Sequence, residues 1–298
     1  MKNIFVKDIK QNQKIKSTFM IMKRITREDG KLIAFIGDKT GDIKASIPDK
    51  IDSLKVGDVI EVEGNMTNVL EVLRFNKVKN FIIENFLRSV DRPIEEIMYE
   101  IDMISKEEFK SREVVALNKY FFENTEFLNK FKKGIGGMIQ HHNYLGGLAE
   151  HTLNTMYLAK TMAYRYNCRY KDIAILGAKL HDIGKIEEYN INGPFSVTMK
   201  GEMEGHIVIG VSMLENAFKE GGDIYSEDFK MRIKSCIVQH HGKMEYGSPK
   251  TPKTEEAFIV HFADYIDAVM NKIEQIKDIT EANNWSEYDR RIGTRLYL

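Results

Sequence analysis

The order of hydrophobic and polar residues divides this chain into a strand-like first part and a helical second part. Between Ser17 and Phe81, short runs in which apolar and polar residues alternate are separated by turn sequences, a pattern typical of β-strands. The runs are STFMIMKRI, KLIAFIGD, DIKASIP, DVIEVEGNM and EVLRFNKVK. Asp29-Gly30 and Thr40-Gly41-Asp42 predict hairpin turns between them. From Asp91-Arg92-Pro93 onward the apolar spacing is helical.

Five short strands in about 65 residues predict a small all-β barrel of the OB-fold type, although an SH3-like barrel would give a similar pattern. Residues 1–90 carry 17 Lys and Arg against 12 Asp and Glu (+5), which leaves 27 against 32 (−5) for the remainder. That imbalance has the sign expected of a polyanion-binding module, and ordinary surface variation is the alternative. Candidates for base stacking and phosphate contact are Lys23, Arg24, Phe35, Lys44, Arg74, Phe75 and Lys77. Alternating phenylalanines are also typical of a barrel core.

The second part predicts an all-α bundle. Asp91 is the predicted N-cap of a first helix, with Pro93 in its first turn, and Ser105-x-x-Glu108 predicts the capping box of the next. Later helices are predicted at 147–166, 170–182, 203–219, 226–241 and 254–277. The glycine-rich segment GIGGMIQHHNYLGG contains His141 and His142. It is predicted either as an active-site loop, with His142 touching a substrate, or as a plain connector between helices.

The histidines are strongly clustered. All eight lie between residues 141 and 261, and the first 140 residues contain none. Five of them fall in the motifs GGLAEHT, LGAKLHDIGK, EGHIVIG and IVQHHGK, and HFADYIDA adds the carboxylate of Asp264. Burying several imidazoles and carboxylates in one bundle is costly unless something pairs with them, and a metal ion removes that cost. A donor set without thiolates favours Mn, Fe, Co, Zn, Ni or Mg over a cysteine-zinc site.

The ordered motifs H…HD…H…HH…D resemble those of HD-domain metal-dependent phosphohydrolases. HHNYLGGLAEHT, LGAKLHDIGK and HFADYIDA together resemble the YhaM-type 3′-to-5′ exoribonucleases, in which an OB-fold precedes the HD domain. The resemblance implies a divalent ion, Mn²⁺ first, held by His151, His181, Asp182 and Asp264. It also implies that Asp182 can bridge to a second ion held by His206, His240 and His241, with a single ion as the alternative, since some HD enzymes use only one. Asp182 and Lys185 are the predicted catalytic residues; a lysine that only complements a helix end is the alternative for Lys185.

The expected architecture is multidomain. It comprises an OB-fold nucleic-acid-binding domain (1–90), a helical connector (91–140), an HD domain (141–280) and a C-terminal tail (281–298). The expected function is a metal-dependent 3′-5′ exoribonuclease that releases 5′-mononucleotides from single-stranded RNA, with single-stranded DNA left open as a second substrate. The alternatives are an HD phosphodiesterase acting on a small or cyclic nucleotide, and a non-catalytic single-strand-binding protein.

Composition indicates where in the cell the protein is expected. Hydrophobic residues make up 43% and charged residues 30% of the chain, as in an ordinary globular protein. Cys168 and Cys236 form no CxxC motif or disulfide framework, and the polar N-terminus does not fit a signal peptide. Apolar runs are too short to span a bilayer. These features predict a cytoplasmic protein with no membrane partner, and they leave homo-oligomerisation open.

Overall fold

The computed structural model describes residues 2–138 and 142–298. The chain forms two compact units, one of residues 2–89 with Asn190–Ser196 and one of Val90–Tyr189 with Val197–Leu298. The predicted boundary between a connector and a catalytic domain, at residues 140 and 141, lies outside the described residues, and so does His141.

The first unit is a closed five-stranded barrel. Its strands are β1 (Lys14–Glu28), β2 (Lys31–Asp38), β3 (Gly41–Ile47), β4 (Val59–Met66) and β5 (Leu70–Val78). They follow the order β1-β2-β3-β5-β4 around the barrel, and β1 closes it by pairing with both β2 and β4. Neighbouring strands are antiparallel except β3 and β5, which are parallel. The five predicted strands are therefore confirmed as a small barrel.

The apolar residues that alternate with polar ones along the strands form the barrel core. Fully buried side chains include Phe19 of β1, Ile36 of β2 and Ile60 of β4. The predicted turn at Asp29-Gly30 is confirmed, since both residues have positive φ angles of 48° and 74°. Two register shifts within β1 mark irregularities in this long strand, which pairs on both sides.

The second unit is helical. Its helices are α1 (Ile94–Glu108), α2 (Arg112–Phe122), α3 (Thr125–Lys133), α4 (Gly147–Arg165), α5 (Lys171–Leu180), α6 (Lys185–Glu188), α7 (Met199–Gly221), α8 (Glu227–Gln239) and α9 (Glu255–Asp278). A short hairpin of β6 (Tyr189–Asn190) and β7 (Ser196–Val197) interrupts them. The five later helices predicted from sequence are confirmed. None of the helices in the described part of the chain is both long and apolar enough to cross a bilayer.

The apolar core of this unit surrounds α5. Every residue of α5 from Ile173 to Leu180 is buried, and the helix packs against α4, α8 and α9. The predicted connector helices share that core, because Ile97 of α1 and Phe131 of α3 belong to the same buried cluster as Leu176. The residues that follow α5 therefore emerge at the centre of the unit.

Two predicted helix starts are wrong. The N-cap residue of α1 is Pro93 and not Asp91, and no side chain caps this helix end. Ser105 lies inside α1, and its hydroxyl contacts the buried ammonium of Lys179 at 2.8 Å instead of capping a helix. The cap of α2 is Ser111, whose side chain accepts from the amide of Val114. Ser105-x-x-Glu108 matched the capping box by composition, but α1 continues through it to Glu108.

Candidate metal centre

Five segments of the helical unit bring imidazoles and carboxylates to one buried point. His151 comes from the first half of α4, His206 from α7, and Asp264 from the middle of α9. The other ligands follow helix ends: His181-Asp182 directly after α5 and His240-His241 directly after α8. His151, His181, Asp182 and His240 are each at most 2% exposed. The histidine cluster of the sequence is thus a cluster in space.

Asp182 lies between two groups of histidines. Its Oδ2 is 3.4 Å from His151 Nε2 and 3.3 Å from His181 Nε2. Its Oδ1 is 3.6 Å from the Nε2 atoms of both His206 and His240. Each carboxylate oxygen therefore faces a different set of imidazoles, which is the arrangement of a bridging ligand.

The first group is completed by Asp264. His151 Nε2 is 3.0 Å from His181 Nε2 and 3.2 Å from Asp264 Oδ1. Ligand atoms that share one ion at about 2.1 Å lie roughly 3.0–3.5 Å apart, so these separations fit a common ion. The second group comprises His206, His240 and His241, each of which offers a nitrogen within 4.8 Å of the others.

Local backbone geometry places His206 against Asp182. Residue Gly205 has a φ of 69° and a ψ of 158°, which kinks α7 immediately before His206. A Cβ on Gly184 would lie 2.0 Å from the carbonyl oxygen of His206, so a side chain there would push α7 away. The glycine after His181-Asp182 thus permits the close approach that brings the second histidine group to the centre.

Hydrogen bonds at Nδ1 turn the Nε2 atoms inward. His181 Nδ1 donates to the Ala178 carbonyl at 2.8 Å, and His240 Nδ1 donates to the Ile237 carbonyl at 2.7 Å. A carbonyl can only accept, so in the neutral rings Nδ1 carries the proton and Nε2 presents a lone pair. These two rings are therefore set in the tautomer that a metal ion requires.

Carboxylates hold the other two rings. Asp267 Oδ2 accepts from His151 Nδ1 at 2.6 Å, and Glu188 Oε1 lies 3.3 Å from His206 Nδ1. Sequence reasoning missed both roles. Asp267 stands three residues after Asp264 in HFADYIDA, one helical turn along α9, and that spacing was the available signal. Carboxylate partners of this kind orient ligating histidines and raise their basicity.

The pKa of His151 is shifted in the opposite direction from those of His240 and His241. Burial lowers the pKa of His151, but hydrogen bonds to Asp182, Asp264 and Asp267 outweigh it and raise that pKa well above its usual value. Burial, together with the neighbouring His241 and His181, lowers the pKa of His240 well below its usual value. Burial also lowers the pKa of His241. His240 and His241 are therefore neutral at physiological pH, as ligands must be.

The aspartates remain ionised despite burial. Burial alone would raise the pKa of Asp182, but Lys185 and His181 outweigh it and hold that pKa well below the usual range. The pKa of Asp264 is also lowered, because His151 and His181 offset its burial. Two buried carboxylates thus keep their charge at the point where the imidazoles meet.

The residues present fit a divalent ion. Asp182 Oδ1, His206 Nε2 and His240 Nε2 are buried and lack hydrogen-bond partners among the described residues. Orphaned polar atoms of this kind are costly in a protein interior unless a ligand engages them. The neutral nitrogens and charged oxygens are the donors that first-row divalent metals prefer. The cluster thus has the chemistry of an HD-type metal centre.

Lys185 is part of this cluster. Its ammonium is 2.5 Å from Asp182 Oδ2 and 2.5 Å from the carbonyl of Gly136. It opens α6, which is a single turn, and its ammonium contacts these two oxygens and not the last carbonyls of α5. The side chain thus joins the glycine-rich segment to Asp182.

Two other histidines support the centre from outside it. His142 is 1% exposed, with Nε2 2.8 Å from Asp267 Oδ2 and Nδ1 3.1 Å from Glu150 Oε2. Contact between His142 and a substrate stays a prediction. The other is His261, whose Nδ1 donates to the carbonyl of His240 at 2.7 Å.

The predicted nucleic-acid residues of the barrel fall into two sets. Lys23, Phe35 and Lys44 are exposed and opposite one another on β1, β2 and β3. The second set is already engaged: Arg24 pairs with Asp52, Arg74 with Glu63, Lys77 with Asp58, and Phe75 packs partly against the core. Lys23, Phe35 and Lys44 are therefore the predicted residues most available to contact a nucleic acid.

We expect Asp267→Asn to weaken metal binding without removing a ligand. Asparagine cannot offer His151 a charged acceptor, so the ring loses basicity and orientation. Loss of such a partner typically lowers metal affinity about 10–100-fold. Titration of activity with Mn²⁺ should show that rise in the half-saturating concentration, with most of the rate recovered at saturation. Asp278→Asn, at the exposed end of the same helix, is the matched control, and equal Mn²⁺ requirements for the two variants would contradict the assignment.

Comparison with known proteins identifies the family of this chain. The HD domain family model matches residues 148–269. The 3′-5′ exoribonuclease YhaM of Bacillus subtilis (strain 168) is 30% identical over 290 residues, which cover 90% of each chain. The protein of the same name from Geobacillus sp. (strain WCH70) is 28% identical over 291 residues, covering 90% of this chain and 87% of the relative. No solved structure matches the chain. From the similarity across nine-tenths of both chains, this chain belongs to the YhaM family of 3′-5′ exoribonucleases.

Proposed function

We propose that this chain is a metal-dependent 3′-5′ exoribonuclease that hydrolyses single-stranded RNA to 5′-mononucleotides with metal-activated water. The observation that carries the proposal is Asp182, whose two oxygens face separate groups of imidazoles. Membership of the YhaM family supplies the class of reaction. Single-stranded DNA is the second substrate to test, and the proposed location is the cytoplasm.

The proposed ligand sets follow the two oxygens of Asp182. His151, His181 and Asp264 complete a first site on the Oδ2 side, and His206, His240 and His241 complete a second on the Oδ1 side. A divalent ion, Mn²⁺ in our proposal, lowers the pKa of bound water towards about 7 and stabilises charge on phosphate oxygens.

The chain's own residues prepare the centre for that chemistry. Asp267 and Glu188 hold the rings of His151 and His206 with their Nε2 atoms inward. We assign Lys185 the role of countering negative charge beside Asp182, since its ammonium lies 2.5 Å from that carboxylate. Burial of these groups strengthens each electrostatic interaction relative to water.

The barrel fits the role of an OB-fold that holds the strand. Phe35 lies opposite Lys23 on one side and Lys44 on the other, so an exposed ring is flanked by two cations across three strands. Proteins that bind single strands combine such a stacking surface with cations for the phosphates. The row of Lys23, Phe35 and Lys44 is the proposed RNA contact of this unit.

We expect the double variant Lys23→Glu/Lys44→Glu to weaken binding of single-stranded RNA at least about tenfold at low salt, because two phosphate contacts become repulsive. The slope of log affinity against log salt should fall by about 2. Fluorescence anisotropy with a labelled oligonucleotide across a salt series measures both. The variant should hydrolyse bis(p-nitrophenyl) phosphate at the wild-type rate, because this substrate is too small to depend on the barrel for binding.

The matched control is Lys110→Glu/Lys219→Glu. It makes the same change in charge at two exposed lysines of the helical unit. RNA affinity that falls equally in both double variants would show a net-charge effect and would overturn the assignment to the barrel.

The rival function is hydrolysis of a small nucleotide. Uniformly labelled RNA, cyclic nucleotides and nucleoside triphosphates should be compared at equal concentration with Mn²⁺, with products separated by ion-pair chromatography. The proposal predicts 5′-mononucleotides from RNA as the fastest reaction. A cyclic or free nucleotide turned over more efficiently than RNA would contradict the proposal and favour the rival.

A further inference from the structure

The outer face of α9 is an apolar surface that the centre does not use. Phe258, Phe262 and Tyr265 are 46%, 47% and 53% exposed, and Ile266 is 39% exposed. Val269 and Ile273 are partly exposed on the following turns. These six residues recur every three or four positions, so they lie on one side of the helix and form the α9 stripe. Asp264 and Asp267 lie on the other side, towards the metal ligands.

The size of the α9 stripe is that of an interface. An aromatic side chain has roughly 150–250 Å² of surface, so half-exposed rings leave about 100 Å² each. With the aliphatic residues the stripe reaches on the order of 500 Å², the upper range for the largest apolar patch on a monomer. Two such surfaces together reach about 1,000 Å², near the lower limit for a stable interface.

The charged residues of α9 indicate which class of partner the α9 stripe can bind. From Glu255 to Ile273, a segment that includes the whole stripe, the helix carries one Lys or Arg, Lys272, against the four carboxylates of Glu255, Glu256, Asp264 and Asp267. RNA brings one negative charge per nucleotide and requires cations beside the stacked bases. An anionic membrane surface requires cations as well. The stripe therefore suits an uncharged apolar partner rather than a polyanion.

The stripe is complementary to itself when reversed. The midpoint of the stripe lies between Tyr265 and Ile266. Counted along the sequence from this midpoint, Phe262 and Val269 are equally distant, and so are Phe258 and Ile273. In an antiparallel pair of α9 helices, the aromatic half of each copy therefore packs on the aliphatic half of the other. Such a self-complementary patch is what a twofold interface requires.

The ends of the helix add complementary charge. Exposed Glu255 at the first position and exposed Lys277 near the last lie at nearly equal distances from the same midpoint. In the antiparallel pair each Glu255 comes close to the partner's Lys277. In a parallel pair each glutamate would meet its own copy, which is repulsive.

We propose that the α9 stripe is a self-association surface, through which two copies of this chain pair by antiparallel packing of α9 about Tyr265 and Ile266. The pairing keeps the metal centre of each copy on the opposite side of the helix. The proposal concerns the assembly of the chain and does not depend on its enzymatic activity.

The first test is the mass of the full chain in solution. Sedimentation equilibrium from about 1 to 100 μM should give at least twice the 34.5 kDa of one chain. Phe262→Asp should lower that mass to the monomer across the range, and Met231→Asp, which places the same charge on an exposed apolar residue of α8, should not. A monomeric wild type, or an assembly that Phe262→Asp leaves intact, would overturn the proposal.

The second test is the direction of pairing. Cys168 and Cys236 are buried, so engineered thiols report with little background. Under mild oxidation Ile266→Cys should form a disulfide between copies, and Phe258→Cys alone should not, whereas Phe258→Cys mixed with Ile273→Cys should. Efficient self-linking of Phe258→Cys would show parallel pairing and overturn the proposed register. Loss of RNA binding in Phe262→Asp without a change in mass would assign the stripe to nucleic acid instead.

Discussion

Replacing Asp182 by asparagine is expected to lower the rate of RNA hydrolysis at least about 1,000-fold, since in the proposed centre several kcal/mol of charge stabilisation depend on metal binding by this residue. The carboxylate faces four imidazole nitrogens and the ammonium of Lys185. Asparagine preserves the shape but removes the charge and offers only one acceptor oxygen. Single-turnover kinetics at saturating Mn²⁺ measure the effect.

Two controls make this result specific to the centre. Asp223→Asn makes the same chemical change at an exposed position of the same unit and should retain full activity. The circular dichroism spectrum of the Asp182→Asn variant should match that of the wild type. Folded Asp182→Asn protein with more than about a tenth of the wild-type rate would contradict the bridging role, since one ligand lost from both sites costs far more.

Removing divalent ions is expected to abolish hydrolysis and to destabilise the folded chain. Without an ion, Asp182 Oδ1 and the Nε2 atoms of His206 and His240 stay buried without partners. An ion at about 100 times its dissociation constant stabilises the folded state by about 2.7 kcal/mol. For a helical unit of this size that corresponds to a fall in melting temperature of roughly 5–10 °C on chelation.

Differential scanning calorimetry with EDTA, and then with excess Mn²⁺, measures that shift. The Asp182→Asn variant serves as the control, because its melting temperature should respond little to the ion. A wild-type melting temperature that is the same in EDTA and in Mn²⁺, with activity retained in EDTA, would refute the metal centre.

Much of the fold could be predicted from the sequence because its local signals agree with the final packing. The alternating runs of the barrel became β1 to β5 within a few residues, since one face of each strand is buried. Clustered histidines predicted the centre, because unpaired buried imidazoles are too costly to gather without a ligand.

Other features of the chain could not be predicted, because they depend on tertiary packing that local sequence patterns do not show. Glu188 could not be singled out among 44 acidic residues, because its role depends on which histidine ring it meets in the folded chain. Burial of His142 depends on how the glycine-rich segment folds against Asp267. Ser105 satisfied the composition of a cap, yet it lies within α1.

The most direct test of the central claim is a time course with single-stranded RNA labelled at its 5′ end. The reactions contain Mn²⁺ or EDTA, and wild-type protein or the Asp182→Asn variant, with the same strand in a blunt duplex as a comparison. The account predicts a ladder that shortens from the 3′ end in Mn²⁺ alone, and that is lost in EDTA and in the variant. An intact strand in Mn²⁺, or a ladder that persists in EDTA, would contradict it.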